Sequence, residues 1–417
     1  MYNNNPFLRK SVVALTFATF LLQAPHYHAS ADNNGSAIDR ILSLVETNNK
    51  QLQANTQQTS AQKLTNRSEN NLPDPTVSYA HVWDSDDKDI AQGELIISQS
   101  FDFPSLYATR GKLNRHRNAA LDAEAAALRQ DILLQAQELC IDIITLSRQQ
   151  ELLDQRHDNA QKLADYYEER LETGDANVLA RNKARIELLN VRTEARTNRI
   201  ALNNKLRELT NLNGGKPLTQ GENDEWWEAI GLNEFPEARL PLDFEQTCQE
   251  LIAADPNLQA LRSNSEAARR QISVSRQGWL PGLEVGYRRN ADSGHPLNGI
   301  VVGFSVPIFQ NHGKVKAAKA EALNADYQHQ NSLLQATSTL WQLYHEAREL
   351  QEAISEYHQV LAEQRDLDNL KRALEGGEIN TIDFFVEVSD FYQSKANLLD
   401  LESQYHKAVA RLYKNWL

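Results

Sequence analysis

The 417-residue sequence contains one arrangement of helix and strand segments written twice. The segment 171–177, LETGDAN, returns as 374–380, LEGGEIN, 203 residues later. Gly111 and Lys112 likewise return as Gly313 and Lys314, 202 residues later. The offset between corresponding residues changes by only a few positions along the chain, which indicates that insertions fall in loops. We therefore expect both copies to fold alike.

Each repeat has the order helix, strand, strand, long helix, glycine turn, helix. We place the first repeat at 32–213, a connector containing Trp226 and Trp227 at 214–243, and the second repeat at 244–417. The predicted elements of the first repeat are strands at about 75–103, a long helix at 111–173 and a helix at 178–212. Those of the second are strands at about 281–309, a long helix at 313–375 and a helix at 381–416.

The long helices exceed what a compact domain can hold. Residues 112–173 contain no proline or glycine, and strong helix formers dominate, which predicts one helix of about 60 residues and roughly 90 Å. The second copy repeats this at 314–375. Apolar residues recur every three or four positions, so we expect these helices to pack side by side along their whole length.

Four short segments alternate between apolar and polar residues, as in Val77, Tyr79 and His81, and predict two hairpins with polar loops. Strands of about ten residues can cross a bilayer when tilted, but four of them leave open edges that hydrocarbon does not tolerate. Three chains would supply twelve strands, enough for a closed barrel. The alternation alone is also typical of a soluble four-stranded sheet. The duplication, the long helices and the secretory leader described next favour the barrel.

Residues 1–31 resemble a cleavable secretory leader. Arg9 and Lys10 precede an apolar run at 11–24, and small residues at 29–31 suit a cleavage site. The alternative is a membrane-spanning helix, but about 14 residues is short of the roughly 20 that crossing requires. The net charge of −13 argues against nucleic acid and against an anionic membrane surface as partner.

We find no pattern that indicates an enzyme, a cofactor or a metal site. The sequence lacks a phosphate loop, a nucleophile elbow and a His or Cys pair at ligand spacing. Cys140 and Cys248 lie within apolar helical patterns, which favours buried thiols over a disulfide. Met1 is the only methionine, which argues against a methionine-lined route for soft metal ions.

The duplicated plan, with Pro104 and Pro307 where strand gives way to helix and glycine turns at Gly174 and Gly377, resembles the TolC-type outer-membrane efflux protein family. The resemblance implies an α+β membrane protein: a homotrimer with a 12-stranded β-barrel in the outer membrane of a Gram-negative bacterium, continued by a long periplasmic α-helical barrel. It also implies a passive exit duct that works with a periplasmic adaptor protein and an inner-membrane pump of the RND or ABC type.

In that family the glycine turns lie at the periplasmic tip, which is the entrance of the channel. Acidic residues come just after the turn in the sequence. Asp383 falls at the first acidic position; at the second, this sequence has Val386 with Glu387 beside it, and the first repeat has Ala180 where the second has Asp383. Three copies of Asp383 facing the lumen would attract cations. The alternative is a solvated Asp that stabilises the first turn of a helix through the helix dipole.

Arg181 and Arg185, four residues apart on one helix face, are candidate tip partners for acidic groups of the neighbouring helix pair, with solvated surface residues as the alternative. The sequence stops at Leu417 directly after the last helix, which resembles the branch of the family associated with divalent-cation efflux. The competing function is a secreted coiled-coil scaffold or adhesin without a pore. It accounts for the long helices but not for the two hairpins.

Overall fold

The computed structural model describes residues 36–83, 91–174, 177–218, 231–291, 295–363 and 367–417. The elements reported below lie in one unit, Ala37–Leu417. The predicted leader, Trp226 and Trp227 of the connector, and the hairpin residues 84–90 and 292–294 lie outside the described residues.

The described elements follow the same order in both halves of the chain. The first half contains α1 (Ala37–Asn48), α2 (Lys50–Ser68), β1 (Thr76–Trp83), β2 (Ala91–Phe101), α3 (Pro104–Glu172) and α4 (Val178–Leu212). The second contains α5 (Phe244–Ala254), α6 (Pro256–Gln277), β3 (Gly282–Ala291), β4 (Pro296–Ser305), α7 (Lys314–Glu363), α8 (Leu367–Glu375) and α9 (Thr381–Leu412), followed by a short 3₁₀ helix at Lys414–Trp416.

The helical segment before each hairpin is broken in two at corresponding places. Asn49 caps α2 by accepting hydrogen bonds from the backbone amides of Gln51 and Leu52. Asp255 caps α6 in the same way, and Pro256 occupies the first helical position, where its missing N–H costs nothing. Each break therefore follows from a capping residue that ends one helix and starts the next.

The long helix of the first repeat spans 69 residues and begins at Pro104, seven residues before the predicted start at Gly111. Pro104 fits the first turn, and Gly111 is accommodated inside the helix. In the second repeat, Gly313 has a φ of +82°, a left-handed conformation that glycine adopts without strain, and α7 starts directly after it. Equivalent glycines thus have different roles in the two copies.

The four strands form one antiparallel sheet in the order β1-β2-β3-β4. Each hairpin pairs its own two strands, and β2 pairs with β3 so that the two repeats share a sheet. Among the described strands, β1 and β4 each have one unpaired edge. The helices enter and leave the sheet at one end, and the described ends of the two hairpins, Trp83 and Ala91 in one and Ala291 and Pro296 in the other, lie at the opposite end.

The helices pack around α3, which contacts α4 of its own repeat and α6 and α9 of the second. One buried cluster includes Ile41, Ile143 and Leu209, and a second includes Phe244 and Leu251. Cys140 and Cys248 are buried free thiols, as predicted. None of the helices in the described part of the chain combines the length and apolar character that crossing a lipid bilayer requires.

Candidate pore wall and helix tips

The sheet has two chemically different faces, because alternate residues of a strand point to opposite sides. On one side Val77 lies opposite Ile97, Ile97 opposite Tyr287, and Tyr287 opposite Ile300. We call this side the apolar face. Its large apolar members are Val77, Tyr79, Trp83, Leu95, Ile97, Phe101, Leu283, Val285, Tyr287, Ile300, Val302 and Phe304. Ile300 is 82% exposed and Phe304 67%, so the chain leaves this face uncovered.

The opposite side, which we call the polar face, contains mostly hydroxyl, amide, charged and glycine residues. Glu94 and Arg288 form an ion pair across β2 and β3. Next to it, Gln92 donates a hydrogen bond of 3.0 Å to the side-chain oxygen of Asn290. At Gly286 an added Cβ would lie 2.7 Å from the carbonyl oxygen of Ile97, so a side chain there would clash with the backbone. A face of this composition suits contact with water.

In each of the two repeated segments a left-handed glycine follows the end of a helix, and we call the turns at Gly174 and Gly377 the tip turns. Gly174 follows the end of α3 with a φ of +81°, and Gly377 follows α8 with a φ of +73°. A left-handed residue ends a helix and reverses the chain, and glycine adopts that conformation without strain. Asn177 then accepts a 2.9 Å hydrogen bond from the amide of Leu179 and so caps α4. The motif is therefore a helix stop, a turn and a helix start.

Asp383 lies in the first turn of α9 and is exposed. Its backbone amide donates to the Asn380 side-chain oxygen at 2.9 Å, and its carboxylate accepts from the Asn380 amide group at 2.6 Å. Glu387, one turn further on, is exposed on the same side of the helix, and Val386 is exposed beside it. Asp383 thus stabilises the start of α9, and its remaining carboxylate surface faces solvent.

Arg181 and Arg185 both face Glu168 of α3 within the first helix pair. The Arg181 guanidinium lies 3.5 Å from the Glu168 carboxylate, and that of Arg185 lies 3.8 Å from it. These contacts join the two sides of the first tip. The structure therefore groups Arg181 and Arg185 with Glu168 rather than with Asp383 or Glu387.

Two hydrogen bonds between the repeats, which we call the tip contacts, lie near the turns. The Tyr167 hydroxyl of α3 is 3.0 Å from the Thr381 hydroxyl of α9. The Asn159 side-chain amide of α3 donates to the Tyr392 hydroxyl of α9 at 2.8 Å. Phe385 of α9 is buried in the same cluster as Tyr167. Sequence reasoning missed these contacts because their partners are 214 and 233 residues apart.

A cavity of about 300 Å³ separates the two helix pairs beside the tip contacts. Its wall includes Leu163, Phe384 and Tyr392. Arg156 also lines it, with its guanidinium hydrogen-bonded to the Glu187 carboxylate at 2.7 Å and 5.8 Å from the Tyr392 ring centre. Burial raises the pKa of the Tyr392 phenol, and the hydrogen bond from Asn159 and the charge of Arg156 partly offset the rise. The phenol is therefore neutral at physiological pH.

Pro104 and Pro307 lie at different kinds of strand-to-helix junction. Pro104 is the first residue of α3, three residues after the end of β2. The Arg110 guanidinium donates to the Asp102 carboxylate at 2.6 Å, which braces that junction. Pro307 lies two residues after β4, within an irregular segment that ends where α7 begins at Lys314.

Metal-ligating side chains do not cluster in the part of the chain that the structure describes: no group of three His, Cys, Asp or Glu residues there could hold a metal ion. His116 faces the Glu266 carboxylate at 3.2 Å, and His358 faces that of Glu402 at 3.4 Å. Burial raises the pKa of the Cys140 thiol to about 12, which keeps it protonated. We assign no metal or cofactor to these residues.

The fold is similar to that of several solved outer-membrane channels. The chain superposes on the channel CusC with a TM-score of 0.75 at 16% identity, covering 93% of this chain and 95% of that one. For the outer membrane protein VceC of Vibrio cholerae the TM-score is 0.74 at 17% identity, covering 91% and 95%. For the open-state MtrE outer membrane channel of Neisseria gonorrhoeae it is 0.74 at 12% identity, covering 91% and 88%.

By sequence, residues 247–416 match the family model described as outer membrane efflux protein. No curated protein sequence matches the chain. The predicted resemblance to the TolC-type outer-membrane efflux family is thus confirmed, by the family match over the second repeat and by the fold of the whole described chain. The predicted fold class, a duplicated helix-strand-strand-long helix-helix unit with four antiparallel strands, is confirmed as well.

Proposed function

We propose that this chain is one protomer of a trimeric outer-membrane channel that acts as the passive exit duct of a tripartite export system. The observation that carries the proposal is the four-stranded sheet with one apolar face, one polar face and two unpaired edges. Such a sheet is incomplete alone, because open edges offer backbone groups for pairing with another chain.

Copies of the chain can complete one another. The four strands alternate in direction, so β4 of one copy would lie antiparallel to β1 of the next. Three copies would contribute twelve strands, an even number within the range of outer-membrane barrels. The strands contain 8 to 11 residues, long enough to cross the hydrocarbon layer when tilted.

The two faces give the barrel its orientation. Exposed residues such as Ile300 and Phe304 would contact lipid, where burial of their apolar area stabilises the assembly. The Glu94–Arg288 pair and the glycines of the polar face would line a water-filled lumen. The reverse orientation would place an ion pair in hydrocarbon and a ring of aliphatic side chains in water.

The helices also present surfaces that suit neighbouring copies. On α7, the exposed side chains of Leu323, Tyr327 and Leu334 lie on one side of the helix, at spacings of four and seven residues. On α4, Leu179 and Ile186 are exposed seven residues apart. Apolar stripes at this spacing are typical of helices that pack side by side. They support an α-helical barrel of roughly 100 Å, the length of α3.

The remaining parts of the proposal follow the family resemblance. Residues 1–31 would direct export and be removed, and the connector 214–243 would lie in the equatorial region. The helices would occupy the periplasm of a Gram-negative bacterium, where the tip turns at Gly174 and Gly377 meet an adaptor protein and an inner-membrane pump. Asp383, with Glu387 nearby, would form the acidic ring at the entrance. The chain itself would carry out no reaction.

The test combines assembly with conductance. The mature protein is purified in mild detergent, its mass is measured, and it is reconstituted in planar bilayers. We expect a trimer that conducts, and a Leu334→Glu variant that loses the trimer because three carboxylates enter the helical contacts. The control is Leu64→Glu, an exposed residue of α2 outside both stripes. A monomer with no conductance would refute the channel and favour the coiled-coil scaffold or adhesin.

A further inference from the structure

One positive charge lies on the apolar face. Arg289 of β3 pairs in register with Leu95 of β2 and Asn298 of β4, so it shares the side of the sheet that carries Ile97 and Ile300. Its side chain is exposed, and no ion pair involves it among the described residues. The adjacent Arg288 points to the polar face and pairs with Glu94.

Among the described strand residues, no carboxylate shares the apolar face with Arg289. The acidic residues of the described strands, Glu94 and Glu284, both lie on the polar face. A guanidinium remains charged at any physiological pH, so it needs an anion or water wherever it sits. On a lipid-facing surface such a charge is costly at the middle of the bilayer and tolerated near the head groups.

The position of Arg289 along the strand places it near the head groups. β3 ends at Ala291, two residues beyond Arg289, or roughly 7 Å along the strand. This is the loop end of the sheet, opposite the end where α3 and α6 join it. In the proposed orientation that end lies in the outer leaflet.

Two further hydrogen-bond donors share the apolar face with Arg289, because Asn298 pairs with it in register and Tyr79 pairs with its other partner, Leu95. The Tyr287 hydroxyl donates to the Asn298 side-chain oxygen at 2.6 Å, so the Asn298 oxygen is the acceptor in this contact and its NH₂ group is the donor that a ligand could use. The Tyr79 ring reaches over Gly93, where an added Cβ would lie 3.0 Å from the Tyr79 hydroxyl. This brings a phenol to the same level of the apolar face, since Gly93 pairs with Ala291. The planar guanidinium of Arg289, the side-chain amide of Asn298 and the phenol of Tyr79 are all hydrogen-bond donors, which suits an anion with several oxygen atoms.

We propose that Arg289, Asn298 and Tyr79 bind the phosphate of a lipid head group in the leaflet at the loop end of the sheet. The inference rests on the proposed function, because it requires the apolar face to contact lipid. Three protomers would supply three equivalent sites around the barrel. Each site would hold one charged lipid against the protein and fix the depth of the barrel in the membrane.

The experiment measures lipid binding to the full mature trimer by native mass spectrometry. The probes are lipid A, a bisphosphorylated glycolipid, and the same lipid with both phosphates removed. We expect the wild type to retain the phosphorylated form preferentially, up to three per trimer. Arg289→Gln should weaken that binding by about tenfold, because a charge-assisted bidentate contact is lost. Arg288→Gln, one residue away on the polar face, is the matched control and should bind as the wild type does.

Four results of this experiment, or of variants added to it, would overturn the inference. Equal binding of the two lipids, or equal binding by the wild type and Arg289→Gln, would overturn the inference, as would displacement of lipid A by millimolar inorganic phosphate. If Arg289→Gln does not assemble, the Arg289→Lys variant is tested instead. Lysine keeps the positive charge but lacks the two parallel N–H donors of the guanidinium, so it should bind lipid A more weakly than the wild type. Unchanged binding of lipid A by Arg289→Lys would overturn the inference. If the wild-type protein conducts but does not prefer the phosphorylated lipid, this inference alone is overturned. If the protein is a monomer that does not conduct, the proposed function is refuted.

Discussion

In the proposed channel, opening at the tips would require α9 to move away from α3, and the tip contacts would oppose that movement. The double variant Tyr167→Phe and Tyr392→Phe removes the two hydroxyl groups and keeps both rings. Tyr167 is 5% exposed and Tyr392 4%, so the packing of the rings, which is the larger contribution to stability, is preserved. The variant therefore isolates the hydrogen bonds.

The expected size of the effect follows from the geometry. A hydrogen bond of ordinary length contributes about 1 kcal/mol net. Asn159 and Tyr167 lie eight residues apart on α3, roughly 12 Å, so the two contributions should be nearly additive. Their sum, about 2 kcal/mol, would shift the closed-to-open equilibrium of each protomer by a factor of about 30.

Single-channel recording in planar bilayers measures this shift as the fraction of time in the high-conductance state. The control is Tyr166→Phe, because the Tyr166 hydroxyl accepts a hydrogen bond from Arg170 of the same helix and makes no tip contact. We expect a large increase for the double variant and none for the control. Equal open fractions in the wild type, control and double variant would show that the tip contacts do not hold the channel closed.

Three further predictions concern single residues. Asp383→Asn keeps the hydrogen-bonding shape but removes the charge, and should lower the cation-to-anion permeability ratio measured from reversal potentials in a KCl gradient; an unchanged ratio would remove Asp383 from the entrance. Cys140 should resist iodoacetamide in the folded protein and react after urea unfolding, because burial raises its pKa; labelling of the native protein would contradict its placement. Burial, with the charge of Arg148, lowers the pKa of His406 to about 4, so the unfolded chain binds the proton first and stability falls as pH drops from about 6.5 towards 4. His406→Phe should reduce that loss in thermal unfolding at pH 7 and pH 4.5, and an identical acid profile would refute the assignment.

Local sequence patterns were sufficient for the elements and their order. The pair LETGDAN and LEGGEIN predicted both tip turns, because a glycine ends a helix and an asparagine starts one with neighbours only a few residues away. The alternation in the strands predicted which residues share a face, since a strand has a period of two. Boundaries were less accurate: α3 begins at Pro104 rather than Gly111, because proline starts a helix and glycine in an interior turn costs only about 1 kcal/mol.

Contacts across long sequence separations were decided by the tertiary structure alone. The sequence indicated Arg181 and Arg185 as tip residues but not their common partner, Glu168. Sequence analysis did not single out Arg289, because the acidic residues of the described strands are assigned to the opposite face only by the register of β2 against β3. Helix caps and strand periodicity act over a few residues, so the sequence alone determined a duplicated framework. Which side chains of the two repeats meet depends on how that framework packs.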